Sequence, residues 1–328
     1  MSGRYLVTGG AGFVGSHVVL ALLRGGAAVT VLDDFSTGHE AAVPKGARLV
    51  RGSVADPEAL ERAFATGPFE AAFHFASLTL VGESMREPVR YIATNLAGGA
   101  ALVDACLRHG VTRIVLSSTA NLFAEPARMP IDEDEAIVPG SPYGESKAML
   151  ERLLFWADRI HGLRSACLRY FNAAAADPDG EAGEDHRPET HLIPLVLDAA
   201  AGRRPPLTVF GDDYPTPDGT CIRDYIHVAD LATAHLAVLE PLRRRSVRYN
   251  LGTGQGHSVR EVIATAEAVT GLAVPYTIGP RREGDPAVLV AASDRIRNDL
   301  GWQPKFPRLE TIVAHAWAWR RRNPEGYR

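Results

Sequence analysis

The sequence predicts an α/β protein built on a doubly wound parallel sheet. Three observations carry this. Short apolar runs alternate with amphipathic segments through the first half of the 328-residue chain. A glycine-rich turn, Thr8-Gly9-Gly10-Ala11-Gly12-Phe13-Val14-Gly15, joins the first apolar run to the first amphipathic segment. After Tyr170 the texture changes and loop-like stretches become frequent. Strand–helix alternation implies parallel pairing with helices on both faces, and right-handed crossovers wind the sheet in both directions.

In order, Arg4–Thr8 reads as the first strand and Val14–Arg24 as the helix after the turn. Ala28–Leu32 and Ala47–Arg51 are the next apolar runs, and Pro57–Ala65 has a helical pattern. Ala71–Phe75 is a strand, followed by the long helical pattern Pro88–His109. Thr112–Ser117, the helix Tyr143–His161 and the strand Arg164–Arg169 complete the series. Beyond it, residues 173–190 are rich in Ala, Gly, Asp, Glu and Pro, and Gly211–Gly219 is dense in Pro and Asp. Such segments are typically loops that carry function.

Length allows one large or two ordinary domains. A formal charge of −4 leaves no basic footprint for nucleic acid. Arg243-Arg244-Arg245 and Arg320-Arg321-Arg322 are short and read as solvated surface. Cys106, Cys167 and Cys221 are odd in number and widely spaced, which suits a reducing cytosol and gives no disulfide framework. With neither His-x-x-x-His nor Cys-x-x-Cys, no metal is expected. The first strand begins too early to leave room for a signal peptide. No apolar stretch approaches the ~20 residues that span a bilayer. A cytoplasmic protein without membrane or nucleic-acid partners is expected.

The turn Gly10-Ala11-Gly12-Phe13-Val14-Gly15 has the strand-before, helix-after context of a dinucleotide fingerprint. Gly9, Gly12 and Gly15 form a second, wider triplet. Glycines permit a tight turn and close approach of backbone to pyrophosphate, and the helix N-terminus favours its charge. Asp33 ends the second strand, 18 residues after Gly15. A carboxylate there can bind the adenosine ribose hydroxyls and repel a 2′-phosphate. Asp34 follows, and no Lys or Arg comes before Lys45, which favours NAD over NADP.

Tyr143 and Lys147 lie four residues apart in Pro142-Tyr143-Gly144-Glu145-Ser146-Lys147. That spacing puts both on one helix face. The ammonium can then favour the phenolate and make it a usable base near neutral pH. Taken singly, the turn also reads as structure and the pair as a solvated helix face. Their joint occurrence, in this order, gives the chemical reading its weight.

These residues carry a resemblance. The chain resembles the extended short-chain dehydrogenase/reductases, and among them the UDP-glucose (UDP-galactose) 4-epimerases. The matching blocks include Thr8–His17, His74-Phe75-Ala76, Val81-Gly82-Glu83-Ser84, Ser117-Ser118-Thr119, Pro142–Lys147 and Arg169–Ala174. They continue with His191-Leu192-Ile193-Pro194, Phe210–Val228, Tyr249–Gly254 and Arg281–Asp285. The resemblance implies a Rossmann-type NAD-binding domain over 1–172, with a return segment near 220–255. A smaller C-terminal α/β domain, 173–328, would mainly bind the UDP-sugar. It implies hydride removal from hexose carbon-4 by tightly held NAD, rotation of the 4-keto sugar, and hydride return to its other face.

By position, Tyr143 is the implied base, Lys147 its ribose-binding activator, and Thr119 the hydroxyl that bonds the reacting oxygen. The implied cofactor residues are Gly9, Gly12, Phe13, Val14, Gly15, Asp33, Asp34, Ser53, Val54, Phe75, Ala76, Thr79, Asn95, Tyr143, Lys147 and Tyr170. The UDP-sugar would meet Ser84, Thr119, Tyr143, Asn172, His191, Leu192, Arg223, Arg282, Asp285 and Leu289. Arg223 and Arg282 would bind phosphate, for which a guanidinium fork is suited. Leu289 would gate the sugar's carbon-2 substituent. Members of the group are often homodimers. The chain departs from the common pattern at Thr79 (Lys in many relatives), Ser53 (Asp), His191 (Asn) and Phe123-Ala124 (Tyr-Gly). Ala120-Asn121 after Thr119 replace the Asp-Glu of a 4,6-dehydratase and argue against dehydration. An epimerase of another UDP-sugar, a reductase and a non-catalytic nucleotide-sugar sensor are the remaining alternatives.

Overall fold

The computed structural model describes residues 3–124, 126–282 and 285–328. The chain divides into two compact units, Met1–Ala124 with Ala136–Tyr170 and Ala232–Tyr249, and Glu125–Glu135 with Phe171–Leu231 and Asn250–Arg328. The fold is the expected α/β class.

In the first unit the strands are β1 (Arg4–Thr8), β2 (Ala28–Asp33), β3 (Arg48–Arg51), β4 (Ala71–His74), β5 (Arg113–Thr119) and β6 (Arg164–Tyr170). The helices are α1 (Phe13–Arg24), α2 (Pro57–Phe64), the single turn α3 (Val81–Ser84), α4 (Pro88–Arg108) and α5 (Pro142–His161). The six strands lie in the order β6-β5-β4-β1-β2-β3, with the strand Val247–Leu251 as a seventh beside β6. All five pairings among the six are parallel. Every residue of β4 is buried, because crossover helices cover both faces of a parallel sheet. Leu60, Leu102, Ile114, Leu116, Leu150 and Leu154 meet in one core cluster; each fully buried side chain of this size contributes roughly 1.5–3 kcal/mol.

The strand order reverses between β1 and β4, and in such sheets ligands bind outside the carboxyl ends at that point. β5 runs two residues past the end that hydropathy suggests. Ser117, Ser118 and Thr119 stay in the ladder through Leu168, Arg169 and Tyr170 of β6, so pairing rather than apolarity holds this polar tip in the sheet. α5 starts where the Ser141 hydroxyl accepts the Gly144 amide at 3.1 Å. That cap fixes the first turn, on which Tyr143 sits.

The second unit contains β7 (Asn172–Ala174), α6 (Leu192–Ala200), β8 (Leu207–Phe210), β9 (Ile222–His227) and the start of α7 (Val228–Ala237). After the end of β10 (Val247–Leu251) come β11 (Gly256–Ser258), α8 (Val259–Thr270), β12 (Tyr276–Gly279), β13 (Val288–Leu289), α9 (Asp294–Leu300) and α10 (Leu309–Arg322). β9 is the hub: β7 and β13 run parallel to it and β11 antiparallel. Ile193, Val196, Leu197, Val262, Ile263, Ile312 and Val313 form the core between α6, α8 and α10. Among the described residues no helix is long and apolar enough to cross a membrane.

Candidate active site

Thr119 ends β5, and Tyr143 and Lys147 stand on the first turns of α5. All three are buried, Lys147 completely. The Thr119 hydroxyl stands beside the Tyr143 phenol and favours its ionised form. The Lys147 ammonium donates to the Ser117 carbonyl at 2.9 Å and lies 5.9 Å from the Tyr143 ring centre. Asn95 on α4 clamps the surroundings. Its amide donates to Leu78 O at 3.0 Å and to the Ser146 hydroxyl at 2.9 Å, and its oxygen accepts the Leu78 amide at 2.8 Å. The Tyr170 hydroxyl bonds Ser117.

The electrostatics qualify the simple ammonium–phenolate reading. Burial pushes the Tyr143 phenol up to about 12, against the pull of the Thr119 hydroxyl. Burial pushes Lys147 down to about 7, against the attraction of Glu151. In the chain alone both groups are driven toward their neutral forms, so each is sensitive to any charge placed beside it. Behind them Glu151 is held by Arg169 at 2.6 Å and by the Ser118 hydroxyl at 2.6 Å.

The glycine turn shows which positions the chain itself constrains. Gly9 has φ +74, and a Cβ there would lie 2.4 Å from the Ala76 amide nitrogen. A Cβ on Gly15 would lie 2.1 Å from Gly9 O. Gly12 differs: its nearest neighbour would be Gly9 O at 3.5 Å, so the chain leaves room for a side chain there. Gly12 instead lines a cleft, where close approach of a ligand is the remaining reason for a bare backbone. That cleft is lined by Gly9, Asp33, Asp34, Ser53, Val54, Phe75, Ala76 and Asn95, among others. It also takes in Ser36, Thr37 and Gly38, which sequence reading missed because a loop after a strand end has no periodicity.

Asp33 accepts the Ala11 and Phe35 amides, both at 2.9 Å, one on each oxygen. Burial pushes its carboxyl up and these two donors hold it back. Each oxygen keeps a further lone-pair site, enough for two ribose hydroxyls. These residues therefore fit a dinucleotide. Phe13 is buried at the start of α1, and Val14 beside it is half-buried. Thr79 is exposed, and Ser84 is buried with its hydroxyl on Val81 O at 2.7 Å.

In the second unit, β9 gathers four of the remaining candidates. Leu289 stands opposite Arg223 in the parallel pair β13–β9. Arg223 forms a salt bridge with Asp285. Asn172 opposes Tyr225 and donates to Asp224 O at 3.0 Å. Arg282 is exposed, its guanidinium 4.1 Å above the Phe210 ring. His191 precedes Leu192 at the start of α6 and is bonded to Glu184.

The NAD dependent epimerase/dehydratase family matches residues 5–252. A UDP-glucose 4-epimerase of Halalkalibacterium halodurans is 49% identical over 98% of this chain and 97% of its own length. Among solved structures, the UDP-glucose 4-epimerase of Brucella ovis in complex with NAD is 43% identical, covers 97% of this chain and 98% of its own, and has a TM-score of 0.93. That of Bifidobacterium longum, in complex with NAD+ and UDP, is 37% identical over 99% of this chain and 100% of its own, with a TM-score of 0.94. Agreement over nearly the whole chain, in sequence and in fold, fixes the family: the chain belongs to the NAD dependent epimerase/dehydratase family.

Proposed function

We propose that the chain interconverts UDP-glucose and UDP-galactose through transient oxidation at carbon-4 of the sugar. The observation that carries this reading is the buried Thr119–Tyr143–Lys147 group at the carboxyl edge of the sheet. NAD, when bound, supplies the hydride acceptor. Thr119 orients the carbon-4 oxygen, and Tyr143 takes the hydroxyl proton as the carbon–hydrogen bond breaks. The 4-keto sugar turns over, and proton and hydride return, the hydride to the opposite face. Lys147 provides the positive charge that makes the phenol acidic enough. Asn121, the second residue after Thr119, donates its side-chain amide to the Thr119 hydroxyl at 3.2 Å. An amide so engaged offers no acid or base for dehydration.

The direct test is conversion of UDP-galactose to UDP-glucose without added nucleotide, products resolved by chromatography. Asp33, the glycine turn and a closed redox cycle support retained NAD, so activity is expected at once. Purification free of NAD with a preference for added NADP would remove the cofactor assignment.

Arg223 and Arg282 bind the diphosphate on this reading. Arg223 must then share its guanidinium between phosphate and Asp285. Losing a charge-assisted hydrogen bond costs roughly 1.5–3 kcal/mol, about 10- to 150-fold in affinity. Arg223→Ala and Arg282→Ala are expected to weaken UDP binding by that factor and to leave NAD binding nearly unchanged. Calorimetry showing wild-type UDP affinity would take both arginines out of the site.

Leu289, opposite Arg223, sets the sugar preference. Its apolar branch offers no partner to an amide, and an unpaired polar group entering a tight pocket loses its bonds to water. UDP-N-acetylgalactosamine is expected to react poorly and Leu289→Ser to improve it. Equal kcat/KM of the unmodified enzyme for UDP-galactose and UDP-N-acetylgalactosamine is the result that refutes this gate.

The reading includes a cytoplasmic homodimer. Phe155, Trp156 and Ile160 of α5 are 41%, 47% and 66% exposed, which supports a partner helix face there. A monomer by light scattering at micromolar concentration would count against the dimer.

A further inference from the structure

The loop that leads into α6 gathers a set of side chains of which the epimerase reading uses only His191. Glu184, His186, Glu189 and His191 each bring one donor atom to the same place, all four atoms within 4.8 Å of one another. His186 Nδ1 lies 3.5 Å from Glu184 Oε1 and 3.4 Å from Glu189 Oε1. His191 Nδ1 is bonded to Glu184 Oε1. A tetrahedral ion with bonds of about 2.0–2.1 Å separates its ligand atoms by roughly 3.4 Å, which is the spacing from His186 to both carboxylates.

A second observation points to a ligand. Glu184 is only 4% exposed, yet its Oε2 has no hydrogen-bond partner. Glu189 Oε2 is in the same condition. Two buried carboxylate oxygens without donors are costly, and they flank two imidazoles whose neutral form donates a lone pair. The loop is also already fixed. Glu189 Oε1 accepts the Thr190 and His191 amides at 2.8 and 2.9 Å, and Arg320 donates to Glu184 O at 3.3 Å. Ligands held this way need little reorganisation to bind.

We propose that Glu184, His186, Glu189 and His191 bind a divalent transition-metal ion of the zinc class as a structural site. Two nitrogens and two carboxylate oxygens suit a borderline ion better than magnesium or calcium, which prefer all-oxygen sets. The ion would set a positive charge beside the two carboxylates whose second oxygens lack donors and pin His191, the residue before α6. The expectation of no metal rested on helical His and Cys spacings. Here the imidazoles are five apart in a loop, Glu184-x-His186-x-x-Glu189-x-His191, a pattern that no helical spacing finds.

The test uses full-length protein with its purification tag removed, treated with chelator and dialysed. Titration with Zn2+ by calorimetry is expected to show one equivalent bound and a raised Tm. Titration with Co2+ is expected to give the intense visible bands of four-coordinate cobalt. Glu184→Gln/His186→Asn should lose affinity by more than about 10- to 100-fold, the range that even outer-shell partners of a metal command. Absence of tight binding in the wild type, equal binding in the double variant, or the weak spectrum of six-coordinate cobalt would each overturn the site. Should the double variant fail to fold by circular dichroism, the milder Glu189→Gln and the wild-type cobalt spectrum decide. Neither readout depends on epimerase activity, so the two proposals fail separately.

Discussion

Replacing Tyr143 with Phe is expected to lower kcat on UDP-galactose by about 100- to 10,000-fold, the usual contribution of a positioned acid–base group. UDP affinity and Tm should hardly change. The ring is buried, and phenylalanine keeps all of it but the hydroxyl. The Thr119 hydroxyl keeps the Asn121 backbone and side-chain amides as donors at 3.1 and 3.2 Å, so no orphaned group is created. What disappears is the oxygen proposed to take the substrate's proton. Because the phenol rests at about 12 in the chain alone, the rate of the wild type should rise with pH as the phenolate fraction grows. The variant should show no such limb. A Tyr143→Phe enzyme running near the wild-type rate would remove Tyr143 as the base.

How much of this was legible in the sequence depended on the range of the interactions. The strands β1, β2, β4 and β6 were readable to within a residue because burial on both faces writes itself as unbroken apolar runs, as in Ala71-Ala72-Phe73. The polar tip of β5 was not, since Ser118 and Thr119 are strand residues only by virtue of their partners on β6. The single turn α3 is too short to show a period. In the second unit β9 is organised by neighbours from residues 172 to 289, contacts that no local pattern encodes. The site divides in the same way. Gly9, Gly12, Gly15, Asp33 and the Tyr143–Lys147 pair announce themselves by spacing. Asn95 was reachable only through the resemblance, and its clamp on Leu78 and Ser146 is visible only in three dimensions. The opposed drift of the Tyr143 and Lys147 protonation equilibria is likewise a product of burial, which spacing cannot reveal.

Lys147 provides the second large effect, and it separates function from stability. Lys147→Ala should be about as damaging to kcat as loss of the phenol, ~100- to 10,000-fold, since the proton acceptor loses the charge that makes it competent. The sign of the pH effect follows. The rate needs the phenolate, and wherever the bound nucleotide holds Lys147 protonated, removing that cation raises the phenol's pKa. The acid limb of kcat must therefore move to higher pH, and alkaline conditions should restore part of the activity. Lys147→Met, which keeps the aliphatic stem, should show the same shift. Stability should move the other way. Burial brings Lys147 from 10.5 to about 7, so between those values the unfolded chain holds a proton that the folded chain releases. Folding stability contributed by this group then rises with pH through that window and is lowest below about pH 7. In protein freed of nucleotide, Lys147→Met removes the burial penalty on the charge and should raise Tm at pH 6, even though the buried Ser117 carbonyl loses its donor. By pH 10 that gain should vanish. An inactive variant that is more stable than its parent in acid marks a charge kept for chemistry rather than for the fold. A Lys147→Met protein with an unmoved pH–rate profile would show instead that the lysine acts only through packing.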